Sequence, residues 1–246
     1  MQRVNTAELL DSPDCPPHEI AKSLQDMARV NRWFGGVATT RKLIERVASV
    51  TASKHFSMLE VAAGFGEVPR AAGQQLARKG ITLEVTHVDL VQSHLLRGTR
   101  AVVADALALP FPDSSFDLVS CSLFAHHLEP PELSRFAAEA LRVSRCAVLI
   151  NDLVRHPLHL ALVYAGFPFL RSYVSRNDGP ASVRRAYMPE EMREMLSSAS
   201  VPRHEVEIST NFLFRMGVIL WKSREPVPAA AVELRSTGQP GAAVPT

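Results

Sequence analysis

Ser57-Met-Leu-Glu-Val-Ala-Ala-Gly-Phe-Gly66 is the stretch that decides the fold. An apolar run ends here in a Gly-x-Gly turn, and a segment of helical character follows it. A second apolar run ends at Asp89, 23 residues after Gly66. Because the carboxyl ends of neighbouring parallel strands meet at one edge of a sheet, this spacing predicts a nucleotide-type ligand. Pro69 replaces the third glycine of the dinucleotide fingerprint, and Glu60 precedes the turn, so a ligand without a pyrophosphate is favoured.

Short apolar runs alternate with helical patterns on both sides of this loop. We predict strands at 57–62, 82–89, 100–104, 116–122 and 145–151, and helices at about 67–79, 91–97 and 131–142. After a helix at about 189–199, strands at 204–209 and 212–221 are separated only by Thr210 and Asn211, which indicates a hairpin. The alternation predicts an α/β fold, a doubly wound, Rossmann-like, seven-stranded sheet that ends in an antiparallel hairpin.

The remaining segments set the domain organisation. Residues 1–17 are polar and are expected to wrap or fray, and helical spacing recurs at 18–33 and at about 38–50. We therefore divide the chain into an N-terminal helical lid at 1–52, a main domain at 53–223 with a helical substrate-lid insertion at 153–187, and a disordered tail at 224–246.

Composition excludes several classes of protein. The chain has 246 residues, of which 46% are hydrophobic, and its formal net charge is +2, so it lacks the basic character of a nucleic-acid-binding protein. We expect neither a signal peptide nor a transmembrane segment, and hence a cytoplasmic protein, with loose contact of 153–175 with a membrane surface as an alternative to a buried lid. Three scattered cysteines do not form a disulfide framework, and no metal-ligand spacing is visible.

Several ordered motifs resemble one enzyme family. Besides the 59–66 loop, they are His87-Val-Asp-Leu90, the stretch Ala104–Val119, and Ser122-Leu-Phe-Ala-His-His-Leu128. Together they resemble the class I S-adenosylmethionine-dependent methyltransferases, and more narrowly the ubiquinone/menaquinone-biosynthesis branch of small-molecule methyltransferases. The flanks at 30–36 and 177–189 resemble bacterial relatives associated with polyketide-type phenolics.

The resemblance implies that S-adenosyl-L-methionine is the cofactor. The residues that it assigns to cofactor binding are Glu60, Ala62, Gly64, Gly66, Asp89, Leu90, Asp105, Ala106 and Phe124. Asp89 would accept hydrogen bonds from the ribose hydroxyls and Asp105 from the adenine amino group. Read without the resemblance, Asp89 could cap a helix and Asp105 could hold a turn. Glu60 would orient the cofactor's amino group or brace the loop.

Histidines supply the candidate catalytic groups, because imidazole is the natural general base near neutral pH. The candidates are His126 and His127, after the fourth strand, and His156, after the fifth. The candidate substrate-binding residues are Trp33, Arg155, His159, Arg176 and Tyr187. Each candidate also has a purely structural reading, as a packed ring, a hydrophobic anchor or a solvated charge.

The sequence thus predicts methyl transfer to a small, largely apolar acceptor. A phenolic or quinol-type natural product of secondary metabolism, methylated on oxygen or carbon by a monomer or homodimer, is the leading expectation. A lipid or nitrogen acceptor, or a cofactor-binding protein without catalytic activity, are the alternatives.

Overall fold

The predicted apolar runs form the strands of one sheet. The computed structural model describes residues 1–12, 14–96, 98–197 and 204–222. The sheet has seven strands in the order β3-β2-β1-β4-β5-β7-β6. Their bounds are β1 (His55–Val61), β2 (Thr82–Asp89), β3 (Ala101–Val103), β4 (Phe116–Ser122), β5 (Ser144–Leu153), β6 (His204–Asn211) and β7 (Arg215–Lys222). Strands β1 to β5 are parallel, whereas β7 runs antiparallel to both β5 and β6, which confirms the predicted fold class.

Helices cover both faces of this sheet. They are α1 (Pro17–Trp33), α2 (Gly36–Thr51), α3 (Glu67–Ala77), α4 (Pro130–Val143), α5 (Pro157–Ala165), α6 (Tyr173–Arg185) and α7 (Pro189–Leu196). Short 3-10 turns lie at Leu9–Asp11, Gln92–His94, Ala125–His127 and Phe167–Phe169. Among the described residues, no helix combines the length and the hydrophobicity needed to cross a bilayer.

The central strands are buried on both faces, as expected for parallel strands between helical layers. Alternate residues point to opposite sides, so Leu59 and Val119 join α4 and α7 in one hydrophobic cluster. Met58 and Leu118 join residues of α2 and α3 in a second cluster on the other face. The sheet is therefore held rigidly from both sides, and its carboxyl edge is a fixed platform for a site.

Two local predictions are wrong. The helix expected at 91–97 is only the 3-10 turn Gln92–His94, because the Asp89 carboxylate accepts the Val91 N–H and ends the strand in a tight turn. The hairpin turn comprises residues 212–214 rather than two residues, and Leu213 and Phe214 both have positive φ, at 54° and 60°. The tail predicted at 224–246 lies outside the described residues.

The N-terminal segment, residues 1–12, packs against α6 and the residues that follow it, near the carboxyl edge of the sheet. The Arg3 guanidinium lies 4.4 Å from the centre of the Tyr187 ring. The Leu9 N–H donates to the Asp178 carboxylate of α6 at 2.8 Å. These contacts join the beginning of the chain to residues that are distant in sequence, and they carry Glu8 into the interior.

Candidate functional site

The glycine turn between β1 and α3 gives the backbone a sharp change of direction. Gly64 and Gly66 have φ of 50° and 64°, in the left-handed region that favours glycine. A Cβ on Gly66 would lie only 2.4 Å from Nε2 of His87, so no side chain fits there. Ala62 also has a positive φ, at 52°, where an L-residue costs about 1 kcal/mol. The loop keeps this backbone strain at the point where a ligand would approach.

Asp89, at the end of β2, is tied to the glycine turn. Its Oδ2 accepts from the Gly64 N–H at 3.0 Å and its Oδ1 from the Val91 N–H, also at 3.0 Å. His94 Nδ1 lies 3.3 Å from Oδ1. Burial opposes ionisation of this carboxyl, but the bonds from His94, Val91 and Gly64 together hold the pKa of Asp89 below its usual value. The carboxylate is thus anionic at neutral pH and fixed beside the loop.

Helix α1 covers the loop and leaves a small cavity of about 60 Å³ beneath it. Leu24, Met27 and Asn31 of α1 line this cavity opposite the glycine turn. The sequence alone does not indicate this role for the α1 side chains, because an amphipathic pattern shows which residues are apolar but not what they cover. A nucleoside-sized ligand occupies more than this volume, so it would extend from the cavity toward the solvent beside the loop.

Glu60 and Ser122 present unsatisfied polar atoms to this cavity. Within the described residues, Glu60 Oε2 and Ser122 Oγ are buried and have no hydrogen-bond partner. Burial raises the pKa of Glu60 to about 7, and the nearby hydroxyls of Ser120 and Ser122 offset part of that rise. A buried acceptor without a donor is costly unless a ligand satisfies it. The arrangement therefore fits a ligand that brings an N–H donor or a positive charge.

The other residues assigned to cofactor binding lie around the same edge. Leu90 is exposed after β2, and Asp105 is exposed after β3, where its Oδ1 accepts from the Leu107 N–H at 2.8 Å. Phe124, after β4, packs edge-on against Phe136 with ring centres 5.5 Å apart. Ala106 is partly buried and packs beside the first hydrophobic cluster. These four residues line no part of the small cavity.

The candidate histidines separate into two places. His126 is buried, and its Nδ1 lies 2.7 Å from Oδ1 of Asp152, at the end of β5. Burial alone would lower the pKa of His126, but the carboxylates of Asp152 and Glu8 raise it to about 9. The ring of His127 lies 4.3 Å from that of His126. His156 is instead exposed at the start of α5, where its Nδ1 accepts the Leu158 N–H at 3.1 Å.

Two of the candidate substrate-binding residues make contacts within the protein. Arg155 is buried, and it donates to the carbonyl oxygens of Met1 and Ala186 at 2.9 and 2.8 Å. The Tyr187 hydroxyl donates to the Leu128 carbonyl at 2.6 Å. The structure thus brings both residues to the anchored N-terminal segment rather than to the cavity.

The remaining candidates lie on the surface around the carboxyl edge. Trp33 is 64% exposed at the end of α1, and Arg176 is exposed on α6. His159 is partly buried, and its Nδ1 donates to the Val154 carbonyl at 3.0 Å. Its ring stacks on Phe214.

Phe214 also lines a second, larger pocket, which we call the α5 groove. It has a volume of about 380 Å³ and lies between α5 and the β6–β7 turn. Its lining residues are Val154, Leu158, Leu162, Thr210, Asn211, Leu213 and Phe214. It is predominantly apolar and lies at the same edge of the sheet as the glycine turn, so it is suited to an apolar molecule.

The strand order and the loop define an open α/β protein that binds a nucleotide-type ligand at the carboxyl ends of its strands. Residues 59–146 match the family model described as a methyltransferase domain. The chain is 29% identical over 136 residues to a demethylmenaquinone methyltransferase of Renibacterium salmoninarum, covering 53% of this chain and 50% of that protein. It is 25% identical over 189 residues to the ubiquinone/menaquinone biosynthesis C-methyltransferase UbiE of Paraburkholderia xenovorans, covering 68% and 75%.

Solved structures share the fold. The plantazolicin methyltransferase BpumL in complex with SAH aligns with a TM-score of 0.64 at 12% identity, over 88% of this chain and 93% of that one. A SAM-dependent methyltransferase from Aquifex aeolicus aligns with a TM-score of 0.57 at 17% identity, over 85% and 99%. Residues 59–146 therefore carry a methyltransferase domain of the S-adenosylmethionine-dependent type. The chain spans about half the length of the demethylmenaquinone methyltransferase that it matches.

The residues around the glycine turn fit S-adenosylmethionine. The unpartnered Glu60 oxygen faces the cavity where a cationic ligand would satisfy it, and Asp89 is ionised beside the loop. Gly64 leaves room for a ligand to approach the backbone, since the nearest atom that its Cβ would meet is Leu24 Cδ2, at 3.6 Å. Leu24 belongs to α1, so this helix sets the depth of the cavity along the loop.

Proposed function

We propose that this protein transfers a methyl group from S-adenosylmethionine to a small, largely apolar acceptor of the phenolic or quinol type, on oxygen or carbon. The bound cofactor supplies an already activated methyl group, so the protein's main task is to position the acceptor. The observation that carries the proposal is the apolar α5 groove at the carboxyl edge of the sheet.

Helix α5 supports an apolar acceptor. Its sequence, Pro157-Leu-His-Leu-Ala-Leu-Val-Tyr-Ala165, is almost entirely apolar, yet the helix has no buried residue. Leu158 is 55% exposed and Leu162 is 43% exposed, and both line the groove. Leaving such side chains in water costs free energy that an apolar ligand would recover. Both relatives with similar sequences are named for quinone methylation, which fits an acceptor of this kind.

A panel of phenols, quinols and polar amines, each incubated with labelled S-adenosylmethionine, tests the acceptor class. With the best acceptor, the double substitution Leu158→Ser and Leu162→Ser should raise KM about tenfold or more and leave kcat nearly unchanged, because it removes apolar contact in the ground and transition states alike. Val50→Ser, at an exposed apolar residue on α2, is the matched control. Turnover of polar amines alone, or an unchanged KM in the double variant, would refute the proposed acceptor class.

Cofactor binding gives a separate prediction. We expect Asp89→Ala to weaken the binding of S-adenosylhomocysteine by about 1–3 kcal/mol, because the ribose hydroxyls lose a charged acceptor. The same substitution also releases the Gly64 N–H, which loosens the loop. Calorimetric titration measures the effect, with Asp113→Ala as the control, since the Asp113 side chain is 77% exposed. Equal affinity in both variants would show that the ribose binds elsewhere.

A further inference from the structure

Three potential metal ligands meet where the N-terminal segment crosses the sheet edge. Glu8 comes from that segment, and His126 and His127 come from the 3-10 turn after β4. Their ligand atoms all lie within 4.8 Å of one another. His126 Nε2 is 3.6 Å from one Glu8 carboxylate oxygen, and His127 Nε2 is 3.7 Å from the other.

His126 is oriented toward this point by Asp152. The Asp152 carboxylate lies 2.7 Å from the ring Nδ1 and accepts the His126 backbone N–H at 3.0 Å. With Nδ1 held in this way, Nε2 faces Glu8, and among the described residues it has no hydrogen-bond partner. His126 is only 2% exposed, so Nε2 is a buried, unsatisfied nitrogen aimed into the cluster.

We propose that Glu8, His126 and His127 form a binding site for Zn²⁺. Two imidazoles and one carboxylate are a common zinc ligand set that leaves a fourth position open. Zinc bonds of about 2.0–2.2 Å place tetrahedral ligand atoms about 3.4 Å apart. Ligand atoms that lie within 4.8 Å of one another would therefore approach by at most about 1.5 Å to complete the site. Asp152 supplies the outer carboxylate that typically orients a zinc-binding histidine.

The groups around the cluster are compatible with a cation. Ser182 donates to Glu8 Oε1 at 2.9 Å, and Arg185 Nη1 lies 3.8 Å from the same oxygen. These contacts act on Oε1, whereas Oε2 is the oxygen nearer His127. Arg185 Nη2 also donates to the His127 carbonyl at 3.1 Å. Sequence spacing could not indicate this site, because Glu8 and the histidines meet only through the wrapped N-terminal segment.

Bound zinc would have two consequences for the protein. It would join the N-terminal segment to the core, since Glu8 and the histidines belong to different parts of the chain. A ring nitrogen that holds zinc cannot accept a proton, so the ion would also compete with any acceptor that needs His126 as a base. The attachment of the N-terminal segment to the core does not depend on the proposed methyl transfer. The binding of the metal ion is therefore the quantity to measure.

Titration of the full, tag-free chain with Co²⁺, a spectroscopic substitute for Zn²⁺, tests the site. We expect one equivalent to bind, with visible absorption bands of a four-coordinate ion that one equivalent of Zn²⁺ abolishes. Glu8→Gln and His127→Asn should each weaken Zn²⁺ binding at least about tenfold, measured by competition with a chromophoric chelator. His18→Asn is the matched control, because exposed His18 lies 3.6 Å from Glu19 and, among the described residues, belongs to no group of three potential metal ligands.

Circular dichroism of the metal-free variants separates lost ligands from lost folding, and the variant that keeps the wild-type spectrum decides the test. If both variants unfold, the melting temperature of the wild type is measured with and without one equivalent of Zn²⁺. A rise on adding Zn²⁺, with a rise of the same size in His18→Asn, would support the site. Binding of clearly less than one equivalent, or equal affinity in wild type and in a folded ligand variant, would overturn it. Neither result depends on methyl transfer.

Discussion

Replacing Glu60 by Gln is expected to stabilise the ligand-free protein at pH 8 by up to about 3 kcal/mol while weakening cofactor binding. Burial raises the pKa of this carboxyl from 4.5 to about 7. The folded state therefore holds a proton that the unfolded state releases, and the stability associated with it is lost as the pH rises from about 4.5 through 7. A neutral amide of the same shape does not carry that cost. The bound cofactor, by contrast, would lose its anionic partner.

Urea denaturation at pH 5 and pH 8, paired with calorimetric titration of S-adenosylmethionine, measures both effects. The wild type should lose stability between the two pH values by more than Glu60→Gln does, and the variant should bind the cofactor more weakly at pH 8. Glu84→Gln is the control, since the Glu84 side chain is 76% exposed on β2. Equal pH dependence in the Glu60 and Glu84 variants would show that Glu60 does not resist ionisation in the folded protein.

The sheet and the glycine turn could be predicted because their signals are local. Buried parallel strands are short apolar runs, so the pattern located all seven strands and the antiparallel hairpin. The loop at 57–66 and Asp89 follow two neighbouring strands, and parallel strands bring such ends together without further information. The structure joins them directly through the bond between Gly64 and Asp89.

The contacts of single polar residues could not be predicted in the same way. Arg155 and Tyr187 are polar residues in apolar surroundings, a pattern equally typical of a binding pocket and of a buried structural contact. In the structure, Arg155 donates to the Met1 carbonyl and Tyr187 donates to the Leu128 carbonyl. No local sequence pattern relates Arg155 to Met1. Glu8 reaches His126 for the same reason, because the course of the N-terminal segment is set by tertiary contacts.

The predictions for the 91–97 segment and for the hairpin turn were wrong for a more local reason. Asp89 accepts the N–H two residues further along the chain, and this side-chain contact replaces the first turn of the predicted helix. Leu213 and Phe214 have left-handed backbone conformations that glycine or asparagine would signal, so their sequence gave no indication of a wider turn. Both errors lie at the carboxyl edge of the sheet, beside the site. There, side-chain and tertiary contacts override the conformational preferences of the local sequence.

We expect His126→Gln to lower turnover about 10²-fold or more, with the affinity for S-adenosylhomocysteine nearly unchanged. His126 is the candidate base whose ring is oriented by a buried carboxylate, Asp152, and its Nε2 is left for a second partner. An acceptor hydroxyl would take that place once Glu8 moves away, and the loss of the Glu8 carboxylate would lower the pKa of His126 from about 9 toward the range in which imidazole accepts a proton. His156, by comparison, uses its Nδ1 to cap α5. Steady-state rates with the acceptor found in the panel, combined with calorimetry, separate a chemical defect from lost binding.

His55→Gln is the matched control for this substitution, because His55 is exposed at the start of β1, on the opposite edge of the sheet. Asp152→Asn should reproduce much of the defect, since an amide cannot orient the imidazole or stabilise its charged form as the carboxylate does. Wild-type turnover in His126→Gln would remove His126 as the base and direct attention to His127, the neighbouring ring. A defect in His126→Gln without one in Asp152→Asn would mean that the imidazole acts without the orienting carboxylate.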